Sequence, residues 1–341
     1  MGRSSPSTSL VRVAFHASAF PEQVRRDLLE SLRKQEVNHK FHYDSVKQTQ
    51  KWLALHQAYS ASRTDPDCAA VYDRGFKAAL ARIASKRVNL IGLGPGGGQK
   101  DARLIKLLRG AGKTITYIPL DVSGAMALTA AKAAMAVIPA EQCLPVVCDL
   151  GSAEDWTRAL AALPPGPRLI TFFGMLPNFE PNLILPRLAK LVRADDYLLL
   201  SANLAPDSDY AAGLQKILPL YENELTRDWL MAFLTDLGVE RADGSIQFAV
   251  EGIPMRSKRK NALKRIAAHF EFARARSIIV YGKKFSFHAG ESIRLFFSYR
   301  HTTALLRELI APYGLQVMDQ WITRSEEEGV FLIRADRRRH L

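Results

Sequence analysis

A glycine-rich loop and two aspartates have the types and spacing needed to bind a nucleoside cofactor. The loop, Gly92–Gly98, lies between a short apolar segment and a helical one. Glycines let a backbone turn tightly and approach a ligand without Cβ clashes. Asp121 ends the next apolar segment, where a carboxylate can accept hydrogen bonds from both ribose hydroxyls. Asp149 ends the segment after that, where it would meet the adenine ring.

Each of these features also has a purely structural interpretation. A GxGxxG match can be a flexible turn, and an aspartate at a strand end can cap a helix or a loop. The occurrence of all three at consecutive strand ends favours cofactor binding. An NAD-dependent oxidoreductase would use the loop and Asp121 equally well, but it has no particular need for Asp149. The pattern therefore predicts an S-adenosylmethionine-dependent methyltransferase.

The elements that would hold these residues alternate strictly between short apolar strands and amphipathic helices. The predicted strands are 88–91, 114–120, 144–147, 168–173 and 197–202, and the predicted helices are 101–110, 125–137, 153–163 and 182–192. Such alternation is typical of a parallel sheet covered by helices on both faces. The sequence therefore predicts an α/β fold with a Rossmann-like, doubly wound methyltransferase core.

The flanking segments follow a different pattern. Helices are predicted at 21–34, 46–59 and 68–85. After Asn203 the predicted helices are 221–237, 261–270 and 302–313, and the predicted strands are 277–281, 291–299 and 329–334. These segments predict a second, discontinuous α+β domain that binds the substrate. The predicted division is 66–205 for the cofactor domain, and 10–65 with 206–341 for the substrate domain.

Composition excludes several classes of protein. The chain has 341 residues, of which 48% are hydrophobic, and this is enough for two globular domains. Its apolar runs are too short to span a bilayer, and its polar first nine residues lack a secretory signal. The three cysteines, Cys68, Cys143 and Cys148, show no CxxC spacing. This argues against a disulfide framework or a zinc site, and for a reducing, cytoplasmic compartment.

The formal net charge of +13 is concentrated in one segment. Between Glu251 and Arg300, twelve Lys or Arg stand against three Glu. The run Arg256–Lys260, with Lys264 and Arg265, could bind RNA, so an RNA methyltransferase or a nucleic-acid-binding module is an alternative. However, no aromatic residues for base stacking are interleaved with this run, and its spacing fits one solvated helix face. We therefore expect no nucleic-acid partner.

Short motifs follow one another along the chain. They are Lys40-Phe-His-Tyr-Asp44, Tyr59–Arg63, Gly94–Lys100, Tyr117-Ile-Pro-Leu-Asp-Val-Ser123, Phe173-Gly-Met-Leu-Pro-Asn-Phe-Glu-Pro181, Ala289-Gly-Glu291 and Ser298-Tyr-Arg300. In this order they resemble the histidine Nα-methyltransferases of ergothioneine biosynthesis, from about Asn38 to the C-terminus. The stretch 173–181 is the most specific match, although it is one residue shorter than in the family.

The resemblance implies roles for individual residues. Those that would contact S-adenosylmethionine are Gly94, Lys100, Asp121 and Asp149. Those that would line the amino-acid site are Tyr43, Tyr59, Gly174, Asn178 and Tyr221. Tyr59 and Asn178 would hold the α-amino and carboxylate groups, while Tyr43 and Asn178 orient the amine. Because methyl transfer from a sulfonium is a direct displacement, no enzyme nucleophile and no metal are expected.

One position departs from the family. Its histidine-specific members grip the imidazole with a glutamate and a serine spaced Glu-x-Ser, whereas this chain has Phe296 and Ser298. A phenyl ring cannot accept a hydrogen bond from an imidazole N–H, and losing a charged partner costs about 1.5–3 kcal/mol. Met255, at a position that resembles another pocket-lining methionine, agrees with an apolar pocket. We therefore expect an amino acid or small amine other than histidine as the acceptor, with histidine as the family's default alternative.

Overall fold

The structure, a computed structural model, describes residues 11–160, 163–206, 209–252 and 263–336. The helices are α1 (Pro21–Lys34), α2 (Val46–Tyr59), α3 (Ala61–Thr64), α4 (Pro66–Arg82), α5 (Gln99–Gly110), α6 (Gly124–Met135), α7 (Trp156–Ala159), α8 (Pro181–Leu191), α9 (Tyr210–Ile217), α10 (Glu224–Asp236) and α11 (Thr303–Ile310). The strands are β1 (Ala14–Phe15), β2 (Arg87–Leu93), β3 (Thr114–Asp121), β4 (Val146–Val147), β5 (Arg168–Phe173), β6 (Tyr197–Asn203), β7 (Gly244–Gly252), β8 (Lys264–Phe272), β9 (Arg276–Val280), β10 (Lys283–Phe287), β11 (Ser292–Arg300), β12 (Leu315–Ile322) and β13 (Glu328–Ala335).

The largest sheet has the strand order β1-β4-β3-β2-β5-β6-β13-β12. The strands from β1 to β6 pair in parallel, and β13 and β12 extend the sheet with antiparallel pairing. The chain order reverses between β2 and β5. At such a switch point, open α/β sheets bind ligands beyond the carboxyl ends of their strands. The predicted doubly wound α/β core is confirmed.

Buried apolar side chains cover both faces of this sheet. Ile184 and Leu306 belong to the cluster that packs α8 and α11 against one face. Phe76 and Leu104 belong to the cluster that packs α4 and α5 against the other. Because both faces are buried, the strands are almost continuously apolar, and this made them recognisable in the sequence. The predicted helix at 153–163 is less well matched, since only Trp156–Ala159 is described as helical.

The last two strands belong to the large sheet. β13 pairs with β6, from Glu328 opposite Asn203 to Ile333 opposite Leu198, and β12 pairs with β13. The sequence analysis placed this segment, 315–335, in the second domain. β6 and β13 are far apart in the chain, so their pairing leaves no local pattern in the sequence. The rest of the proposed division into a cofactor domain and a substrate domain stays a prediction.

A second, smaller sheet is inserted between β6 and β12. It has the order β11-β8-β7, with antiparallel pairing, and β9 and β10 form a separate hairpin. β8 occupies Lys264–Phe272, so the predicted helix at 261–270 is wrong. This strand lies in the middle of its sheet, with a paired neighbour on each edge. Such pairing overrides the helix propensity of Ala267 and Ala268.

The N-terminal segment is attached to this second sheet. Residues His39–His42 form a 3-10 turn, and Nε2 of His42 lies 2.7 Å from the carbonyl oxygen of Leu295 in β11. Trp229 of α10 donates its indole N–H to the carbonyl of His42 at 2.9 Å. The next helix, α2, begins with a capping box formed by Ser45 and Gln48. These contacts fix the segment that carries Tyr43.

Four of the eight described Lys and Arg residues of segment 251–300 are paired with acids. The pairs are Arg265 with Glu180 and Glu251, Arg274 and Arg276 with Asp243, and Arg294 with Glu36. The run Arg256–Lys260 lies outside the described residues. The paired arginines offer less free charge to a phosphate backbone than the formal excess suggests.

The cysteines Cys68, Cys143 and Cys148 are buried and form no disulfides. Burial raises the pKa of the Cys143 and Cys148 thiols to about 12, which keeps them protonated and unreactive. Across the parts of the chain that the structure describes, no helix combines the length and the apolar character needed to cross a bilayer.

Candidate active site

A cavity of about 800 Å³ lies where the carboxyl ends of the parallel strands meet the second sheet and the N-terminal helices. The sequence-predicted site residues that line it are Tyr43, Tyr59, Gly94, Lys100, Asp121, Asp149, Gly174, Asn178, Tyr221, Phe296 and Ser298. Met255, the remaining one, lies outside the described residues. The cavity has the size of a small-molecule site. The structure therefore brings the described candidates together around one space.

The glycine loop adopts a backbone that suits glycine alone. Gly94, Gly96 and Gly98 have φ angles of +60°, +55° and +73°, a left-handed conformation that strains other residues. A Cβ atom on Gly96 would lie 2.8 Å from the ring of Trp52, and one on Gly98 would lie 2.5 Å from Cα of Ala130. The loop thus packs closely between α2 and α6. α5 begins directly after it, so the positive end of the helix dipole lies beside the cavity.

Asp121 ends β3 and is only 7% exposed. Its Oδ1 accepts a hydrogen bond from the backbone N–H of Ser123 at 3.0 Å. Burial raises the pKa of this carboxyl to about 7, although backbone N–H groups, including those of Ser123 and Gly96, oppose the shift. A buried carboxylate next to the glycine loop fits the two hydroxyls of a ribose.

Lys100 already has a structural partner. Its ammonium donates to the hydroxyl of Tyr72 at 2.9 Å, and that hydroxyl is also hydrogen-bonded to Ser201, at 2.8 Å, and to Glu328. This network holds the ammonium beside the cavity. The contact of Lys100 with the cofactor stays a prediction.

Asp149 also combines two roles. Its Oδ1 accepts from the backbone N–H groups of Gly151, at 2.8 Å, and Ser152, at 3.3 Å, as a loop-capping residue would. Its Oδ2 accepts from the buried ammonium of Lys40 at 3.1 Å, and Lys40 also pairs with Asp27. The structural interpretation of Asp149 is therefore realised. Its predicted contact with adenine is compatible with these bonds, because the residue still lines the cavity.

Tyr43 and Asn178, the predicted catalytic residues, offer a donor and an acceptor to the same cavity. Burial and the nearby Asp121 raise the pKa of the Tyr43 hydroxyl far above its ordinary value, so it stays protonated and can donate. Nδ2 of Asn178 donates to the carbonyl of Phe297 at 2.8 Å. This leaves Oδ1 as the atom of Asn178 that can accept a hydrogen bond from an amine.

Two further predicted residues lie at less enclosed positions. Gly174 follows β5 with a φ of +70°, and its N–H donates to Ser201 at 2.8 Å. Tyr59, at the end of α2, is 57% exposed although it contributes to the cavity lining. Its predicted contact with the substrate stays a prediction.

Phe296 stands in an aromatic wall. The centroid of its ring lies 5.2 Å from that of His39, 5.6 Å from Trp229 and 6.2 Å from Tyr221, and Phe296 is 8% exposed. Burial, aided by neighbouring positive groups, lowers the pKa of His39 to about 3, so its imidazole is neutral. The rings of this wall are therefore neutral.

A chain of polar groups continues along β11. The hydroxyl of Tyr221 donates to Oγ of Ser298 at 2.9 Å, and Nη2 of Arg300 donates to the same tyrosine oxygen at 2.8 Å. Arg300 also lines the cavity, and the sequence analysis gave it no role. Lys40 was missed in the same way, although both residues lie within the quoted motifs. Trp52 and Trp229 were missed because their helical spacing indicates only packing.

A family model described as histidine-specific, S-adenosylmethionine-dependent methyltransferase matches residues 24–335. The chain belongs to this family. The match includes the glycine loop, β11 and the described strands of the large sheet other than β1. The protein is therefore an S-adenosylmethionine-dependent methyltransferase, and the oxidoreductase alternative is set aside. The positive-φ loop and the buried Asp121 carboxylate fit that cofactor.

Solved structures that align with this chain include several methyltransferases. The CcbJ methyltransferase of Streptomyces caelestis is 12% identical, with a TM-score of 0.40 over 78% of this chain and 88% of that one. Magnesium protoporphyrin IX methyltransferase (ChlM) of Synechocystis PCC 6803, with bound SAH, is 14% identical, with a TM-score of 0.42 over 87% and 98%. The glycopeptide N-methyltransferase MtfA complexed with sinefungin is 12% identical, with a TM-score of 0.36 over 78% and 93%. A search of curated proteins finds no match.

The first prediction concerns Asp121. Asp121→Asn should weaken binding of S-adenosylhomocysteine about tenfold or more, because a charged hydrogen bond contributes about 1.5–3 kcal/mol. The native affinity should fall as the pH drops through 7, since protonation of a carboxyl with a pKa of about 7 removes the acceptor. Calorimetry should give a native dissociation constant about tenfold higher near pH 6 than near pH 8.

Asp319→Asn provides the matched control. Asp319 lies in a surface ion pair with Arg82, and neither residue lines the cavity. This variant should keep both the native affinity and its pH dependence, whereas Asp121→Asn should lose the pH dependence. An unchanged dissociation constant in Asp121→Asn would leave Asp121 with only its structural role at the end of β3.

Proposed function

We propose that this methyltransferase methylates the α-amino nitrogen of an amino acid, or the nitrogen of a related small amine, and that histidine is not its preferred acceptor. The observation that carries the proposal is the aromatic wall around Phe296, at the position of the family's imidazole-binding glutamate. Such a wall favours an apolar or aromatic side chain. Histidine, which the family description names, is the alternative.

The acids near this wall are engaged elsewhere. Glu36 pairs with Arg294 at 2.9 Å, and Glu180 accepts hydrogen bonds from Arg265 and Tyr299. Glu291 bonds to the backbone N–H of His288 and does not line the cavity. An imidazole beside Phe296 would therefore lose its hydrogen bonds to water without gaining a charged acceptor.

The reacting amine must be unprotonated and correctly placed. S-adenosylmethionine, when bound, supplies a methyl group activated by its sulfonium. The chain's own contribution is to enclose the amine, which disfavours its charged ammonium form, and to orient it. The hydroxyl oxygen of Tyr43 and Oδ1 of Asn178 can each accept a hydrogen bond from an N–H of the neutral amine, which leaves the nitrogen lone pair free to attack the methyl group. The glycine loop and Asp121 are the groups that would hold the cofactor.

The second prediction tests the acceptor. In a competition between histidine and tryptophan, tyrosine, phenylalanine and leucine, read by mass spectrometry, the native enzyme should disfavour histidine. Phe296→Glu should raise the share of methylated histidine by about tenfold or more, because it restores a charged partner for the imidazole. The same screen, extended to the other amino acids and common biogenic amines, identifies the acceptor.

The control for an added carboxylate is Phe285→Glu, on the β9–β10 hairpin and outside the cavity lining. It should leave the order of preference unchanged. If the native enzyme methylates histidine best and Phe296→Glu changes nothing, the acceptor is the one that the family description names, and the pocket assignment is wrong.

The third prediction concerns Asn178. Asn178→Ala should lower kcat/KM for the accepted amine by up to about a hundredfold, because a misplaced amine loses its alignment. Binding of S-adenosylhomocysteine should change little, and thermal stability should fall only modestly, because the carbonyl of Phe297 loses one hydrogen bond. Asn182→Ala, an exposed neighbour in α8, is the control and should have native kinetics. A parallel loss of cofactor affinity in Asn178→Ala would make Asn178 a structural residue.

We also propose that nucleic acid is not a partner. The paired arginines of β8, β11 and the hairpin carry this proposal. The fourth prediction is that RNA binds, near physiological salt, no more tightly than the non-specific range of about 10⁻⁶ to 10⁻⁴ M. Fluorescence anisotropy over a salt series measures it. Submicromolar binding that is lost on neutralising Lys258, Arg259 and Lys260 would reverse the proposal.

A further inference from the structure

Two arginines in neighbouring strands are almost fully buried, and their environments differ. Arg265 of β8 is 9% exposed and pairs with Glu180 at 3.2 Å and with Glu251 at 2.8 Å. Arg300 of β11 is 7% exposed, and no carboxylate within the described residues forms an ion pair with it. Its Nη2 donates to the hydroxyl of Tyr221, and its Nη1 donates to the carbonyl of Leu204 at 3.3 Å. Its Nε is buried and has no hydrogen-bond partner in the part of the chain that the structure describes.

A guanidinium in this state is unfavourable unless an anion accompanies it. Burying a charge costs several kcal/mol, and neutral acceptors such as a hydroxyl and a carbonyl offset only part of that cost. Arg300 nevertheless lines the cavity, so a bound molecule can reach the same space. The missing counter-charge is therefore one that a ligand in the cavity can supply.

The position of Arg300 along β11 indicates which part of the ligand this is. Phe296, Ser298 and Arg300 alternate along the strand, so they lie on one face of it, and all three line the cavity. This face changes from an aromatic ring, through a hydroxyl, to a cation over roughly 13 Å, at about 3.3 Å per residue. Asn178, which would orient the amine, bonds to Phe297 between the two ends.

We infer that Arg300, supported by Tyr221, binds the carboxylate of the methyl acceptor. The inference rests on the proposed function and deepens it. The acceptor's apolar side chain lies toward Phe296, its amine lies near Asn178, and its carboxylate lies toward Arg300. The resemblance assigned the amine and carboxylate to Asn178 and Tyr59, but Tyr59 is 57% exposed, and a buried cation attracts a carboxylate more strongly. Arg300 thereby selects amino acids over the corresponding amines.

The test compares ligands that differ only at the carboxylate. The probes are tryptophan, phenylalanine, tyrosine, leucine and histidine, the amide of each, and the decarboxylated amine of each. Affinities are measured by calorimetry with S-adenosylhomocysteine present, and methylation is measured by mass spectrometry. The native protein should bind the best acid about 10- to 100-fold more tightly than its amide. Arg300→Met should remove this preference, by weakening the acid and not the amide, and Arg300→Lys should retain part of it.

Arg276→Met is the control, because it removes a half-buried arginine that pairs with Asp243, and neither residue lines the cavity. It should lower thermal stability and leave the ratio of acid to amide affinity unchanged. If Arg300→Met fails to fold, the acid-to-amide ratios of the native protein and of Arg300→Lys still decide the question.

Several outcomes would overturn the inference. Equal affinity of the native protein for acids and amides would do so, as would an equal loss for both in Arg300→Met, which a structural role predicts. If the amines are methylated and the acids are not, the N-methyltransferase proposal stands and Arg300 has no such role. If S-adenosylhomocysteine binds but no probe is bound or methylated, the proposed function fails and the inference fails with it.

Discussion

The outer edge of β11 connects the second sheet to the N-terminal segment and to the segment that follows β5. β11 is an edge strand, and its backbone groups on that side need partners from outside the sheet. Arg294 exchanges backbone hydrogen bonds with Gln35 and Val37, the carbonyl of Leu295 meets His42, and the carbonyl of Phe297 accepts from Asn178. The β-bulge between Arg294 and Phe296 lies at this junction. β11 is thus hydrogen-bonded both to the N-terminal segment and to Asn178, which follows β5 at the switch point of the large sheet. These bonds fix the position of its side chains in the cavity.

Several charged side chains around the cavity are buried, and burial explains how they are paired. Taking ionised groups out of water is unfavourable, so they are expected to be paired. Lys40 lies between Asp27 and Asp149, and Arg265 lies between Glu180 and Glu251. Asp121 adapts differently, because burial raises its pKa to about 7. A group that is buried, charged and without an oppositely charged partner among the described residues therefore stands out, and in a cavity it indicates where a ligand supplies the missing charge.

The sequence allowed prediction of the parts whose signals are local. The alternation from β2 to β6, the glycine loop and the acidic strand ends all depend on neighbouring residues. By contrast, the strand β8 was mistaken for a helix because its alanines favour helix, and pairing on both edges decides its form. The place of β12 and β13 in the large sheet depends on the pairing of β13 with β6, and the whole second sheet lies between these two strands in the chain. The lack of a carboxylate partner for Arg300 among the described residues is also invisible in the sequence, since it depends on which carboxylates the fold leaves out of reach.

The two ends of β11 would contribute unequally to specificity. An apolar wall does not exclude a polar side chain outright: hydrophobic pockets discriminate against an added polar group by only about a hundredfold. Phe296 would therefore shift the preference from imidazole toward apolar rings without making histidine inert. A site built around a buried charge discriminates more sharply, because a ligand lacking the complementary group leaves that charge uncompensated. The α-amino and carboxylate groups of the acceptor would then be recognised more strictly than its side chain. The departure of this chain from its family at position 296 would change the preferred side chain and leave the rest of the site as it is.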